Sequence, residues 1–155
     1  MAAYARFGGP AGEFTAGGAH VAVHLVPVFG GRIVAFDVQG PAPGRWLPWD
    51  LLPFEGNPYE TAAALGDDWC DGAVVDLRVC DVLSLPAQGE SWEVALIFRA
   101  ELSAMPGGDD ARTPVAIDPA DLGTVRRFAS PELERWLASR PADDSRPMRG
   151  QQLVF

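Results

Sequence analysis

A chain of 155 residues, 48% hydrophobic and 21% charged, is long enough to bury one sizeable core, which excludes a staple-dependent miniprotein, a collagen-like chain and a wholly disordered one. Its 21 acidic residues against 12 basic ones leave a formal charge of −9, which argues against non-specific binding to nucleic acid or to an anionic membrane. All 12 basic residues are arginine, so Schiff-base chemistry and a phosphate-loop lysine are excluded as well.

Met1 to Gly18 is rich in Gly and Ala and lacks the basic start and apolar run of a signal peptide. It reads as a flexible segment, and a cytoplasmic protein is expected. Ala19 to Val28 and Arg32 to Val38 are apolar and β-branched, joined at Phe29-Gly30-Gly31, which predicts a hairpin. Arg45 to Phe54 (RWLPWDLLPF) is aromatic and broken by two prolines, suited to short edge strands or a packed loop. Asn57-Pro58 marks a helix start, and Tyr59 to Cys70 has an apolar stripe that continues it.

Ala73 to Leu85 and Ser91 to Leu102 form the strongest strand pair, turning at Pro86 to Glu90, and a polar loop follows from Met105 to Thr113. Ser130-Pro131-Glu132 opens a last helix that buries Leu133, Trp136 and Leu137. Residues 19–139 thus read as one α+β domain, layered α/β/α, with a mixed central sheet flanked by helices. Residues 140–155 read as a tail whose end, Leu153-Val154-Phe155, can dock back on the body.

Arg45 to Asp71, RWLPWDLLPFEGNPYETAAALGDDWCD, resembles the Nudix superfamily, metal-dependent hydrolases of nucleoside diphosphate derivatives. Trp46-Leu47-Pro48 loosely resembles the strand that ends in Trp-x-Leu-Pro-Gly-Gly. Glu55-Gly56-Asn57-Pro58 resembles the acidic turn, and Tyr59 to Ala64 the opening of the helix that carries Arg-Glu-hydrophobic-any-Glu-Glu-any-Gly. Ile117 onward, IDPADLGTVRRFASPELERWL, resembles the closing strand and helix, so the pattern covers roughly residues 19 to 139.

The departures bear on function. Trp49-Asp50 replaces the Gly-Gly pair. With one deletion allowed, Ala63 and Ala64 stand where the family has Arg and the first helical Glu, and Asp67 and Asp68 fall on the final Glu pair. Without it, Ala64 and Leu65 replace Arg-Glu and only Asp68 keeps an acid. Pyrophosphate hydrolysis needs several carboxylates around Mg²⁺ to neutralise phosphate and activate water. The resemblance therefore implies a homologue with a decayed box, needing no cofactor and retained to bind a small phosphate ligand or a protein. The alternative is a divergent hydrolase using Mg²⁺ or Mn²⁺ held by Asp67, Asp68 and Glu60. Helical spacing places Glu60, Ala64, Asp67 and Asp71 on one face; Gly66-Asp67-Asp68 can equally end the helix as solvated acids.

Trp46, Trp49, Arg126 and Arg127 are the candidate ligand-binding residues: aromatic faces can stack on a base, and the doubled arginine can meet phosphate. Packing for the aromatics and a surface role for the arginines are the simpler readings. His20 and His24 share a strand face but lie about 13 Å apart along it, too far to hold one metal by that spacing alone. Both fit a sheet surface. Glu90, Glu93 and Glu101 surround the long strand pair without a motif that selects one of them. Cys70 and Cys80 form no metal or redox pair and read as small apolar residues. A homodimer is implied by the resemblance alone.

Overall fold

The computed structural model describes residues 19–86 and 91–141. The expected N-terminal segment 1–18, the tail from residue 142, the turn at 87–90 and Glu90 lie outside the described residues.

Strand β1 (Ala19–Phe29) turns at Gly30-Gly31 into β2 (Arg32–Val38). Both glycines have positive φ, +59° and +77°, as a two-residue hairpin turn of this hand demands. Two short strands follow, β3 (Gly44–Trp46) and β4 (Trp49–Leu51). Helix α1 spans Pro58–Trp69, with Asn57 accepting the Tyr59 N–H at 2.8 Å and proline in the first turn. Strands β5 (Val74–Pro86) and β6 (Trp92–Leu102) are the long pair, and β7 (Arg112–Ala116) takes the end of the expected polar loop. The expected closing strand at Ile117 is instead the residue after β7, followed by a 3-10 helix, Pro119–Thr124. Helix α2 (Ser130–Ala138) ends the described fold.

The strand order is β3-β2-β1-β6-β5, with β4 paired to β1 and β7 to β2. β1 and β6 run parallel and the other pairs antiparallel, which makes the mixed sheet expected from the sequence. Because side chains alternate across a strand, β1 serves two cores at once. Val23 and Leu25 pack with Ala62 and Leu65 of α1, Phe36 and Phe98; Val26 and Val28 pack with Leu122, Phe128, Leu133 and Trp136 under the 3-10 helix and α2. The result is an α/β/α sandwich. Gly66 lies in the middle of α1 because a Cβ there would come within 2.7 Å of a Val74 methyl, so its absence lets the helix close on the start of β5.

Candidate functional site

Two polar regions flank β4, one on each face of the sheet. Asp50 stands opposite Val23 and so faces α1, whereas Trp49 stands opposite His24 and faces the α2 side. Adjacent residues of one short strand therefore serve different regions.

On the α1 side lies a groove of about 420 Å³ lined by Asp50, Asn57, Glu60, Thr61, Ala64 and Asp68 among others. Glu60, Ala64 and Asp68 recur every four residues and form one helix face. This corrects the face expected from the sequence. Asp67 lines a separate hollow with Ala63 and Val74, and Asp71 has left the helix at φ +55°. Asp68 is engaged by Arg112, whose two terminal nitrogens lie 3.2 and 3.4 Å from the carboxylate oxygens, while the guanidinium sits 4.2 Å over the Trp69 ring. Among the described residues no three His, Cys, Asp or Glu side chains gather closely enough to hold a metal ion. The donor set does not fit the divalent ion that the resemblance implies: Asp67 points elsewhere, position 64 is an alanine, and Asp68 already has a cation.

On the α2 side, His20 and His24 converge on Glu93, which stands opposite His20 in the parallel β1-β6 register. His20 Nε2 lies 3.3 Å from Glu93 Oε1 and His24 Nε2 2.9 Å from Oε2. Arg127 adds a hydrogen bond to Oε1 at 3.2 Å. The three residues of the sheet are buried, Glu93 to 1% exposure, so the surface reading of the histidines is overturned. Their distance along the strand is bridged by a carboxylate on the next strand. Arg127 is exposed, as expected, yet it is held at φ +79°, in the region that favours glycine, with its guanidinium on this buried acid. Trp49 stacks on His24 at 6.1 Å, and Phe128 meets the same ring edge-on at 5.1 Å. Burial pushes the Glu93 carboxyl up, but the His24 hydrogen bond and the charges of His24 and Arg127 reverse this and bring it down to about 2. Glu93 is thus an ionised anchor.

Of the proposed ligand-binding residues, Trp49 and Arg127 meet at this cluster, whereas Trp46 and Arg126 form a second pair. The Arg126 guanidinium lies 5.8 Å over Trp46, Trp46 donates to the Ala42 carbonyl, and Arg126 N–H donates to the Arg45 carbonyl. Gly44, at φ +137°, makes room for this: a Cβ there would fall 2.2 Å from Arg126 Nε. The neighbouring Arg45 is committed to Asp37, through a fork of 2.8 and 3.2 Å, and to Thr124. Of the remaining aromatics of the segment Trp69 is packed, whereas Phe54 is 66% and Tyr59 48% exposed. Tyr59 meets Phe98 edge-on and Trp69 meets Phe36 likewise. Sequence reasoning did not select Glu93. Its signal was an acid at an inward position of an alternating strand, beside two histidines at inward positions of another. Glu101, its companion, forms a half-buried ion pair with Arg99.

No protein-family model and no curated protein sequence matches the chain. Solved structures do match in shape. A MutT protein from Methanosarcina mazei Go1 is 12% identical with a TM-score of 0.65, covering 79% of this chain and 95% of its own. A NUDIX hydrolase from Nitrosomonas europaea is 12% identical with a TM-score of 0.61, covering 82% and 94%. An ADP-ribose pyrophosphatase from Streptococcus suis 89-1591 is 13% identical with a TM-score of 0.53, covering 80% and 96%. At such identities the likeness establishes a Nudix-like fold, as the Arg45 to Asp71 pattern led one to expect. Among the described residues no helix is long and apolar enough to cross a membrane.

Proposed function

We propose that the chain is a ligand-binding or protein-interaction module built on a Nudix-like fold whose hydrolytic centre has decayed. The observation that carries this reading is Ala64 on the wall of the α1 groove, between Glu60 and Asp68, where the resemblance with one deletion places the first helical Glu. An alanine supplies no oxygen to a cation and no base to a water. Hydrolysis of a phosphoanhydride relies on just those two services. The groove keeps a shape that can hold a small phosphate ligand or a partner's side chains. The cluster around Glu93 is bonded internally and acts as a support for β1, β6 and the Arg127 turn.

The second reading, a divergent Mg²⁺- or Mn²⁺-dependent hydrolase of nucleoside diphosphate derivatives, is favoured by the presence of Asp50, Glu60 and Asp68 in one groove. It requires Arg112 to release Asp68. A thermal-shift panel of nucleotides, nucleotide sugars and dinucleotides, each with and without divalent metal, separates the two. A ligand at a hundred times its Kd raises the midpoint by about 5–10 °C in a domain of this size. The binding-module reading predicts that any such shift is the same with and without metal, and a shift that appears only with metal favours the hydrolase. No shift from the whole panel points to a protein partner.

A further inference from the structure

We propose that Arg112 is a tethered cation that takes over, on Asp68, the electrostatic work of a divalent metal ion. The inference rests on the reading of the groove as non-hydrolytic and goes a step further, to what replaced the metal. The last turn of helix α1, which ends at Trp69, carries Asp67 and Asp68 and no basic residue. Negative charge at a helix C-terminus opposes the macrodipole, so those acids call for a cation. Position 112, far along the chain, supplies it.

The loop before β7 is built to deliver this guanidinium. Gly107 N–H donates to Asp71 Oδ2 at 2.8 Å, tying the loop to the residues just past α1. Asp109 then accepts the N–H groups of Ala111 and Arg112, at 2.8 and 2.9 Å, and its own N–H donates to the Arg112 carbonyl. Gly108 sits at φ +73°, and a Cβ on it would lie 2.7 Å from that same carbonyl and 2.5 Å from Pro114, so the loop passes only because the residue is glycine. Beyond it, β7 pairs Arg112 with Val38. The side chain, held from behind by this loop, lies over Trp69 and presents its fork to both oxygens of Asp68. The fold thus carries its own positive charge to the carboxylate that the resemblance assigns to the metal.

The test uses the full chain, with Mn²⁺ as the probe and the thermal midpoint as the readout. Arg112→Gln is expected to lower the midpoint by about 2–4 °C. Mn²⁺ on the order of tens of millimolar, meeting Asp68 as a lone carboxylate, is then expected to restore about 1 °C in that variant, while leaving the wild type unmoved because Arg112 holds that carboxylate. Adding Asp68→Asn to Arg112→Gln removes the charge that needs a partner, so the midpoint recovers towards wild type and no longer responds to Mn²⁺. If Arg112→Gln alone does not fold, recovery of folding in the double variant supports the proposal equally. A folded Arg112→Gln indifferent to Mn²⁺ overturns it. So does a double variant no better than the single, which would assign Arg112 to packing on Trp69, and so does a wild type stabilised by Mn²⁺ through Asp68. Turnover of phosphate substrates is measured separately on the wild type: turnover defeats the non-hydrolytic reading, whereas its absence together with a failed Mn²⁺ rescue defeats only the role of Arg112.

Discussion

Replacing Glu93 by alanine is expected to lower the unfolding free energy by about 3–5 kcal/mol, the range found when one partner is removed from a buried ion pair. Three donors lose their acceptor together: His20 and His24 on β1, and Arg127 from the turn before α2. Arg127 is partly exposed and can turn to water, but the histidines are buried and cannot. Urea denaturation followed by circular dichroism measures the loss. The effect carries a pH signature of definite sign. The carboxyl is brought down from 4.5 to about 2 in the folded chain, so its contribution is complete above about pH 4.5 and is lost as the pH falls towards 2. The stability gap between wild type and Glu93→Ala is therefore expected to narrow across that window. A gap that stays constant from pH 5 down to about 2 would mean that Glu93 acts through packing alone.

Trp136→Ala is expected to cost a similar amount, about 3–5 kcal/mol, for a different reason. Helix α2 is nine residues long, too short to persist by itself, so its place depends on the face it buries. Trp136 is the largest side chain on that face, 1% exposed, edge-on to Phe128 at 5.0 Å and donating its indole N–H to Asp81 at 2.8 Å. Truncation leaves a cavity between the helix and the sheet and takes one donor from Asp81. Phe128 in turn touches His24, so the damage reaches the Glu93 cluster. Trp136→Phe keeps most of the volume and loses the hydrogen bond; about 1–2 kcal/mol is expected from the same urea titration. An alanine variant within about 1 kcal/mol of wild type would contradict the packing assigned to α2.

The strands and helices were legible where one face of an element is buried and the other is not. Trp92 to Leu102 reads as a strand although both of its faces are covered, Ile97 packing towards α2 and Phe98 towards α1. Asn57-Pro58 marks a helix start by local side-chain chemistry. At the last helix Ser130 is not the cap but the first helical residue, and the Glu132 carboxylate accepts the Ala129 N–H before it. The 3-10 helix at Pro119–Thr124 was not legible, because its six residues, about two turns, are too few for a period to show. The functional groups were less legible than the frame. His20, His24, Glu93 and Arg127 come together only through the parallel pairing of β1 with β6 and the return of the chain before α2, and no spacing within one segment announces that. The direction of each acid on α1 was likewise hidden. Asp67 and Asp68 are neighbours in sequence, yet about 100° of helical rotation sends them to different hollows. The partner of Asp68 was out of sight as well, 44 residues further along the chain.

The claim at the centre of this account is that the α1 groove, with Ala64 on its wall and Arg112 on Asp68, performs no phosphoanhydride hydrolysis. Phosphorus NMR of the wild-type protein incubated with ADP-ribose, dinucleoside polyphosphates and nucleoside triphosphates in the presence of Mn²⁺ tests it most directly. The account predicts spectra that change no faster than those of protein-free controls; turnover that Asp68→Asn abolishes would contradict it.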